Sequence, residues 1–269
     1  MKLRVAAIRA VMDRRILINY RVDPLILGRL VPPPLRVKRV HCWGVAGVCL
    51  IRLRHARPRG LPAALGFESE NAAIRIAVEW DEAGQTREGV YIPVRYTNSR
   101  LNASAGGRLF PGPQSLARFA VHETAGLHKI EMRTPDPGHE LKVLCREADD
   151  WPAHSLFANL EEVSGFFRRA GRGYSPAGTP SRLEGVQLRP ASWNITPARV
   201  EHLDAPYFTD PERFPPGSIQ FDSALLMRNI DHEWRRLPTL RVGARPRALT
   251  APERRLSGSR RHAAFLELP

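Results

Sequence analysis

Residues 14–35, RRILINYRVDPLILGRLVPPPL, constrain the fold more than any other segment of the sequence. They begin with a β-rich run, after which Asp23 can cap a helix through its side-chain oxygen while Pro24 fits the first helical position. The proline triplet at 32–34 ends this helix, because each proline lacks an amide donor and disfavours helix in the residue before it. The segment therefore predicts a strand followed directly by a short helix. The apolar face of that helix comprises Leu25, Ile26, Leu27 and Leu30.

Short strand-like patterns dominate the rest of the sequence. Residues 41–53 form an apolar run rich in Val, and residues 73–80 alternate apolar and polar side chains as a half-buried strand does. The turn DEAGQ at 81–85 leads into a strand over 89–94. Further strands are predicted at 118–123, 128–133, 140–147, 183–188 and 198–203. Sequential short strands joined by tight turns favour an α+β fold that is mainly antiparallel β, as a sheet or barrel.

Helices are few and peripheral in this prediction. Asn98 or Ser99 can cap a short helix over 100–105, ended by two glycines, and residues 155–170 form a longer helix that covers the sheet. Residues 171–178 are predicted to be a loop.

The domain organisation follows from the absence of an internal repeat or linker before residue 240. Residues 1–240 are expected to form one domain. Residues 241–269 are dense in Arg, contain Pro and Ser, and are expected to be a disordered tail.

Charge and hydropathy exclude several classes of protein. The formal charge is +14, but nearly all basic residues are Arg spread through strands and loops, so nucleic acid is not an expected partner. No apolar run reaches about 18 residues, and no membrane span is expected. The N-terminal residues lack the pattern of a signal peptide, so the cytoplasm is the expected location.

The cysteines and histidines predict neither a metal site nor another cofactor. Cys42, Cys49 and Cys145 are odd in number and lack CxxC spacing, so they are expected to be buried thiols in a reducing compartment. The histidines include no HExxH pair. In the DHEW sequence, His232 is expected to face solvent and Trp234 to pack.

Four segments of the sequence resemble the acetoacetate-decarboxylase-like superfamily, and more closely its uncharacterised YqjF-like branch. They are residues 14–35, 70–75, 89–112 and 214–234. The first of them matches the superfamily pattern of a strand ending in Tyr-Arg-x-Asp, a short helix and a Pro-x-Pro-Leu turn. The resemblance covers roughly residues 1–240 and implies a barrel or cone of antiparallel strands with a few peripheral helices around a small-molecule pocket. It also implies assembly into a homo-oligomer, as in the decarboxylases.

The sequence departs from the decarboxylases at the residues that react. In that family a Lys-Lys pair follows a Gly-Arg-x-Leu-x-x-Tyr-Pro segment, and one lysine forms a Schiff base after its neighbour lowers its pKa. Aligned on residues 106–113, GGRLFPGP, the corresponding positions are Gln114 and Ser115, and neither can form an imine. The lysines of the chain are Lys2, Lys38, Lys129 and Lys142. None lies in this context, so decarboxylation through a lysine imine is disfavoured.

The resemblance also implies a carboxylate that faces the pocket near the start of the strand at 73–80. Glu68 and Glu70 are both candidates, and Glu70 is closer to the strand. Arg75 is the expected partner of this carboxylate, because a charged group facing a barrel interior needs one. The alternative is that these carboxylates lie at the surface.

Residues 95–100 form a candidate ligand-binding segment. Its polar side chains are Arg95, Tyr96, Asn98, Ser99 and Arg100. A junction of strand and helix can present backbone amides and Arg side chains to a carboxylate or phosphate, as an organic acid would require. The alternative is that the two arginines form surface salt bridges while Asn98 and Ser99 only cap the helix.

The remaining candidates lie further along the chain. Gln114 and Ser115 are neutral hydrogen-bonding groups that can orient a carbonyl or hydroxyl group. Arg118 and His122 share one side of the next predicted strand. No GxSxG elbow is present, so a hydrolase is not favoured. Trp193 can form an aromatic wall of the pocket, although a core tryptophan with one hydrogen bond is commoner.

Two functions remain open at this point. One is non-catalytic binding of a small oxo or hydroxy acid or a similar metabolite, which the loss of the reactive lysine favours. The other is a lyase, isomerase or hydratase that acts without an imine. In that alternative Glu70 is the base, and Arg75, Arg95 or Arg100 binds the carboxylate of the substrate.

Overall fold

A computed structural model describes residues 5–104, 112–179 and 181–243. The strands of these residues are β1 (Ala7–Val22), β2 (Arg36–Val37), β3 (Arg39–Val40), β4 (Trp43–Pro58), β5 (Phe67–Glu82), β6 (Gln85–Thr97), β7 (Ser115–Leu116), β8 (Arg118–Thr124), β9 (Leu127–Arg133), β10 (Leu141–Glu147), β11 (Arg172–Pro176), β12 (Arg182–Pro190), β13 (Thr196–Asp204) and β14 (Ile219–Arg241). The helices are α1 (Pro24–Gly28), α2 (Arg100–Ser104), α3 (Leu160–Arg169) and α4 (Pro206–Thr209). Short 3₁₀ helices lie at Ala63–Leu65 and Pro137–His139.

Seven strands close into a ring in the order β1, β4, β5, β6, β11, β12 and β14, because β14 also pairs with β1. Neighbouring strands in the ring are antiparallel except β6 and β11, which run parallel where Val90 lies opposite Gly173. The expected α+β fold with mainly antiparallel strands is therefore confirmed. The up-and-down series predicted for β8, β9 and β10 is also present.

Strand β14 connects the ring to the rest of the sheet. It is 23 residues long, and one of its edges pairs with β1 from Ile219 to Arg235. The other edge pairs with β13 around Leu225 and with β12 from His232 to Arg241. From β13 the sheet continues through β10 and β9 to β8.

The two faces of the long strands contribute to different apolar clusters, because successive side chains point to opposite sides of a strand. On one face, Ile16 of β1 belongs to a core that includes Ile130 of β9. On the other face, Leu17 of β1 and Cys49 of β4 pack in a cluster with the apolar side of α3. The strands of the ring thus separate a core shared with β8–β10 from a second compartment that α3 covers.

The N-terminal prediction is confirmed in outline. The Asp23 side chain accepts a hydrogen bond from the Leu25 amide at 2.7 Å, and Pro24 is the first residue of α1. The helix ends at Gly28, so Leu30 lies in the following turn rather than on the helix. None of the helices in the described residues has the length and apolar character needed to cross a membrane.

Helix α3 begins at Leu160, later than the predicted start at residue 155, because Asn159 caps it. The Asn159 side chain accepts a hydrogen bond from the Glu162 amide at 2.9 Å. The buried side of the helix comprises Val163, Phe166 and Phe167.

Removal of this cap gives a testable loss of stability. We expect Asn159→Ala to lower the free energy of unfolding by about 1 kcal/mol, because one amide at the helix start loses its acceptor. Asn159→Asp keeps the acceptor and is expected to stay within about 0.5 kcal/mol of the parent. Urea denaturation measures both variants, and an equal loss in the two would show that the cap is not the cause.

Two local predictions are wrong. The expected loop at 171–178 contains strand β11, because the backbone of Gly173 and Tyr174 pairs with β6 and β12. His232 is buried rather than facing solvent, since its ring packs edge-on against Trp234 with 4.3 Å between the ring centroids.

The prediction that the cysteines are buried is confirmed for two of the three residues. Cys49 and Cys145 are buried as expected, whereas Cys42 is exposed.

Helix α2 is present, but the glycines predicted to end it lie outside the described residues. The predicted tail includes Arg241, which still belongs to β14, and Val242, whose amide donates to the Ser181 carbonyl at 2.9 Å. Residues 244–269 of that tail lie outside the described residues.

Candidate functional site

A cavity of about 140 Å³ lies inside the ring of strands. All seven strands of the ring contribute residues to its wall, together with Phe167 of α3 and Gln114, which precedes β7. The larger apolar side chains of the wall are Met12, Ile51, Leu53, Val90, Ile92, Val186, Leu188 and Trp234. A concave, mainly apolar site with a few polar groups is the usual form of a small-molecule site.

The polar part of the wall is cationic. It comprises Arg15, Asn71, Arg75, Arg95, Tyr96, Gln114 and Arg172, with the thiol of Cys49. Arg172 is paired, because its Nη1 lies 3.0 Å from a carboxylate oxygen of Glu82. No Asp or Glu residue of the described chain lines the cavity. The excess of positive charge therefore favours an anionic ligand.

Arg75 is the most buried of these arginines, with only 3% of its surface exposed. One Nη atom donates a hydrogen bond to Asn19 Oδ1, and the guanidinium lies over the Phe167 ring at 4.5 Å from its centroid. Burial lowers the pKa of Arg75 to about 10, so the side chain remains charged at neutral pH. Its Nε and Nη1 atoms are buried and have no hydrogen-bond partner within the described part of the chain.

Other groups of the wall complete a polar side of the cavity. Burial lowers the pKa of Arg95 to about 10, which also leaves this arginine charged at neutral pH. Arg15 Nε donates a hydrogen bond to Cys49 Sγ at 3.3 Å. Gln114 Oε1 is buried and accepts no hydrogen bond from the residues that the structure describes. The cavity therefore offers both donors and an acceptor to a ligand.

Glu70 does not face this cavity, and its expected pairing with Arg75 is wrong. The two residues are five positions apart on β5, and side chains at an odd separation point to opposite faces of a strand. Glu70 is instead bound by Arg14 Nη2 at 2.5 Å and by Arg52 Nε at 2.6 Å. Glu68 is exposed, and the nearest cation is Arg54 at 3.9 Å.

The pairs around Glu70 belong to a partly buried charge network between β1, β4, β5 and β8. Arg14 Nη1 and Arg52 Nη1 also bind Glu123, at 2.6 Å and 2.7 Å. His128 Nδ1 lies 3.0 Å from the same carboxylate. Burial alone would raise the pKa of Glu123, but hydrogen bonds and charges from Arg14, His128 and Arg52 outweigh it and lower the pKa to about 2. Both carboxylates of the network are paired with Arg14 and Arg52, whereas Arg14 Nε is buried without a hydrogen-bond partner among the described residues. The network therefore serves the fold rather than the cavity.

The segment 95–100 contributes two side chains to the cavity wall, Arg95 and Tyr96. The Tyr96 hydroxyl lies 2.7 Å from His139 Nδ1, and burial raises its pKa. Asn98 Oδ1 accepts a hydrogen bond from the Glu70 amide at 2.9 Å.

Asn98, Ser99 and Arg100 do not line the cavity. Ser99 Oγ accepts a hydrogen bond from the Asn102 amide at 3.3 Å, so Ser99 stabilises the start of α2. Arg100 is exposed.

The candidates later in the chain also divide into residues that line the cavity and residues that do not. Gln114 lines the cavity, whereas Ser115 is exposed on β7. Arg118 and His122 share one side of β8 as predicted, but that side is exposed. Trp193 donates from Nε1 to Ser164 Oγ at 3.0 Å and packs beside the apolar clusters, outside the cavity wall.

The lysines that the structure describes are all paired away from the cavity. Lys38 Nζ lies 2.5 Å from Glu88, Lys129 Nζ lies 3.2 Å from Glu131, and Lys142 Nζ lies 3.4 Å from Asp204. Lys2 lies outside the described residues. In the same part of the chain, no group of three or more His, Cys, Asp or Glu residues could hold a metal ion.

Sequence analysis missed several polar groups of the site, namely Arg15, Asn19, Cys49, Asn71 and Arg172. The sequence pattern could have identified one of them, Asn71. Asn71, Ala73 and Arg75 follow a two-residue spacing on a predicted strand, which places Asn71 on the face of Arg75. The others lie on strands that are distant in sequence.

Comparisons with known proteins support the fold. A family model described as an uncharacterized conserved protein matches residues 9–223. An acetoacetate decarboxylase-like enzyme from Sphingomonas wittichii RW1 superposes with a TM-score of 0.55 at 17% identity, covering 89% of this chain and 94% of that chain. Acetoacetate decarboxylase from Legionella pneumophila gives a TM-score of 0.56 at 13% identity, with coverage of 89% and 91%.

The solved structures also include one with a bound small acid. The enduracididine biosynthesis enzyme MppR, complexed with pyruvate, gives a TM-score of 0.53 at 13% identity and covers 90% of this chain and 92% of that chain. At such low identities these likenesses establish the fold alone. Among curated proteins, no sequence matches this chain.

Proposed function

Because this chain belongs to the DUF2071 family, a YqjF-like branch of the acetoacetate-decarboxylase-like superfamily, we propose that it binds a small oxo or hydroxy acid inside the ring of strands. The observation that carries the proposal is Arg75. Its guanidinium is buried, two of its nitrogens have no hydrogen-bond partner in the described residues, and the cavity that it lines has no described acidic residue. Buried donors without a partner are costly, and a carboxylate ligand would satisfy them.

The size of the cavity supports a ligand of few atoms. At about 140 Å³ it is close to the volume of an engineered cavity that binds benzene, which has six non-hydrogen atoms. Pyruvate also has six non-hydrogen atoms, and MppR was solved with pyruvate. The carboxylate of such an acid would meet Arg75 and Arg95, while its carbon chain would contact the apolar wall.

The chemistry available to this ligand differs from that of the decarboxylases. Gln114 takes the place of a reactive lysine by sequence alignment, and an amide cannot form an imine. It can hydrogen-bond to a carbonyl or hydroxyl group of the ligand. The alternative function, with Glu70 as a general base, loses support because Arg14 and Arg52 hold that carboxylate on the opposite face of β5.

The test measures binding of pyruvate and lactate by isothermal titration calorimetry, with pyruvamide as a neutral ligand of similar shape. We expect both acids to bind and pyruvamide to bind more weakly. Arg75→Gln is expected to weaken pyruvate binding by about 10- to 100-fold, because hydrogen bonds to a charged group contribute about 1.5–3 kcal/mol.

Arg199→Gln is the matched control, because Arg199 is exposed on β13. It should bind pyruvate as the parent does. Thermal unfolding without ligand checks that both variants are folded. The proposal fails if neither acid binds to the parent, if pyruvamide binds as tightly as pyruvate, or if folded Arg75→Gln retains the affinity of the parent.

A further inference from the structure

We propose that Cys49 is a covalent site of this cavity, whose thiol adds reversibly to the carbonyl carbon of a 2-oxo acid. The inference rests on the proposed binding of such acids. It goes beyond that binding by assigning a bond-forming residue and by selecting oxo acids over hydroxy acids.

The position of Cys49 supports the proposal. It lies on β4, next to β1 and β5 in the ring, and only 4% of its surface is exposed. Its side chain nevertheless lines the cavity, so a molecule bound there can reach the sulfur. A cysteine inside a ligand cavity has access to bound electrophiles that a cysteine within a packed core lacks.

The surroundings of the thiol are cationic. Arg15 Nε donates to Cys49 Sγ at 3.3 Å. Arg75 and Arg95 line the same cavity as this sulfur. These cations attract an anionic electrophile to the region of the sulfur.

A second observation points independently to a ligand beside this sulfur. Arg75 is buried, lines the same cavity and leaves Nε and Nη1 without a hydrogen-bond partner among the described residues. A carboxylate bound there would hold the adjacent carbonyl carbon inside the same small cavity as the thiol. The geometry thus combines an anion-binding group with a nucleophile.

The proposed step is an addition that needs no oxidant or leaving group. A bond forms between Cys49 Sγ and C2 of the acid, while the π bond of the C2 carbonyl breaks and its electron pair moves to the oxygen. The thiol loses one proton and that oxygen takes up one, so the addition leaves the total number of protons unchanged. The product is a thiohemiketal, and the reverse reaction restores the thiol and the oxo acid.

The other cysteines provide controls within the same molecule. Cys42 is exposed and reports the behaviour of a thiol at the surface. Cys145 is buried in the core that includes Ile130, and burial raises the pKa of its thiol to about 12. It is expected to remain unreactive while the protein is folded.

The first test compares alkylation by iodoacetate and iodoacetamide, which share a leaving group and differ in charge. Peptide mass spectrometry measures the rate at each cysteine of the folded protein. We expect the ratio of the iodoacetate rate to the iodoacetamide rate to be at least about tenfold higher at Cys49 than at Cys42. In Arg75→Gln this ratio should fall toward the value at Cys42, whereas in Arg199→Gln it should not change.

The second test observes the proposed bond. With [2-¹³C]pyruvate, the parent protein should show a ¹³C signal of a tetrahedral C2 carbon in addition to the carbonyl signal. The folded Cys49→Ser variant should lose this signal while it still binds pyruvate. A hydrated keto group also has a tetrahedral carbon, so only the signal that depends on Cys49 supports the proposal.

The outcomes separate this inference from the proposed function. Equal alkylation ratios at Cys49 and Cys42, or a tetrahedral signal that persists in Cys49→Ser, would overturn the covalent site. Binding of pyruvate that depends on Arg75 would then still support the acid-binding function. If the parent binds neither pyruvate nor lactate, the proposed function and the thiohemiketal both fail.

Discussion

Arg14→Met is expected to lower the free energy of unfolding by about 3 kcal/mol, because it removes the buried cation that joins the buried carboxylate of Glu70 to the half-buried carboxylate of Glu123. Arg14 is 1% exposed and binds Glu70 at 2.5 Å and Glu123 at 2.6 Å. Arg52 remains as a partner of both carboxylates, but it cannot replace the two hydrogen bonds that are lost. Methionine fills a similar length of apolar space, so the loss reports mainly on the charge.

Arg36→Met is the matched control for this prediction. Arg36 also joins two carboxylates, those of Glu79 and Asp81, but its side chain is 45% exposed. Exposed pairs contribute little, and we expect a loss of at most about 1 kcal/mol. Urea denaturation of both variants tests the difference. Equal losses would show that burial of the Arg14 network does not govern its contribution.

The second large effect is a loss of stability in acid that depends on Glu123. The pKa of this carboxyl group is about 2 in the folded protein, against a usual value of 4.5. Between about pH 4.5 and about pH 2 the unfolded chain therefore binds more protons at this group than the folded protein does. The stabilisation that ionised Glu123 gives to the folded state is lost as the pH falls through this window. The difference corresponds to at most about 3 kcal/mol.

Other carboxylates titrate in the same range, so the test compares the parent with Glu123→Gln. The free energy of unfolding is measured from pH 6 down to the lowest pH at which both proteins still unfold reversibly. We expect the parent to be the more stable protein at pH 6 and the gap to shrink as the pH falls through the window. A gap that is independent of pH would show that Glu123 has an ordinary pKa in the folded state.

The fold was largely accessible from the sequence because its signals are local. The alternation in residues 73–80 predicts β5, and Asp23 with Pro24 predicts the start of α1. Strand β11 was missed because its sequence, RGYSP, has no β-branched residue, and its structure comes from pairing with β6 and β12. Pairing between strands that are distant in sequence leaves no local pattern.

The candidate site was predicted only in part, for the same reason. Arg75 and Arg95 were identified, but the alternation of β5 places Glu70 on the opposite face from Arg75. The two were expected to pair because the resemblance implies a carboxylate facing the pocket, and a charged group there needs a partner. Arg15 and Cys49 meet because β1 lies beside β4. Neither residue is unusual in the sequence, so their contact could be recognised only once the ring was known.

The pairing of β1 with β14 has a consequence for the order of events during synthesis. Strand β1 leaves the ribosome before its partner β14, which spans Ile219–Arg241 and emerges some 200 residues later. Until then one edge of β1 has no partner in this sheet, and the side chains that later form the cavity have no enclosed space between them. The nascent chain must therefore avoid wrong pairing of this edge, and the aggregation that follows from it, while the residues between β1 and β14 are synthesised.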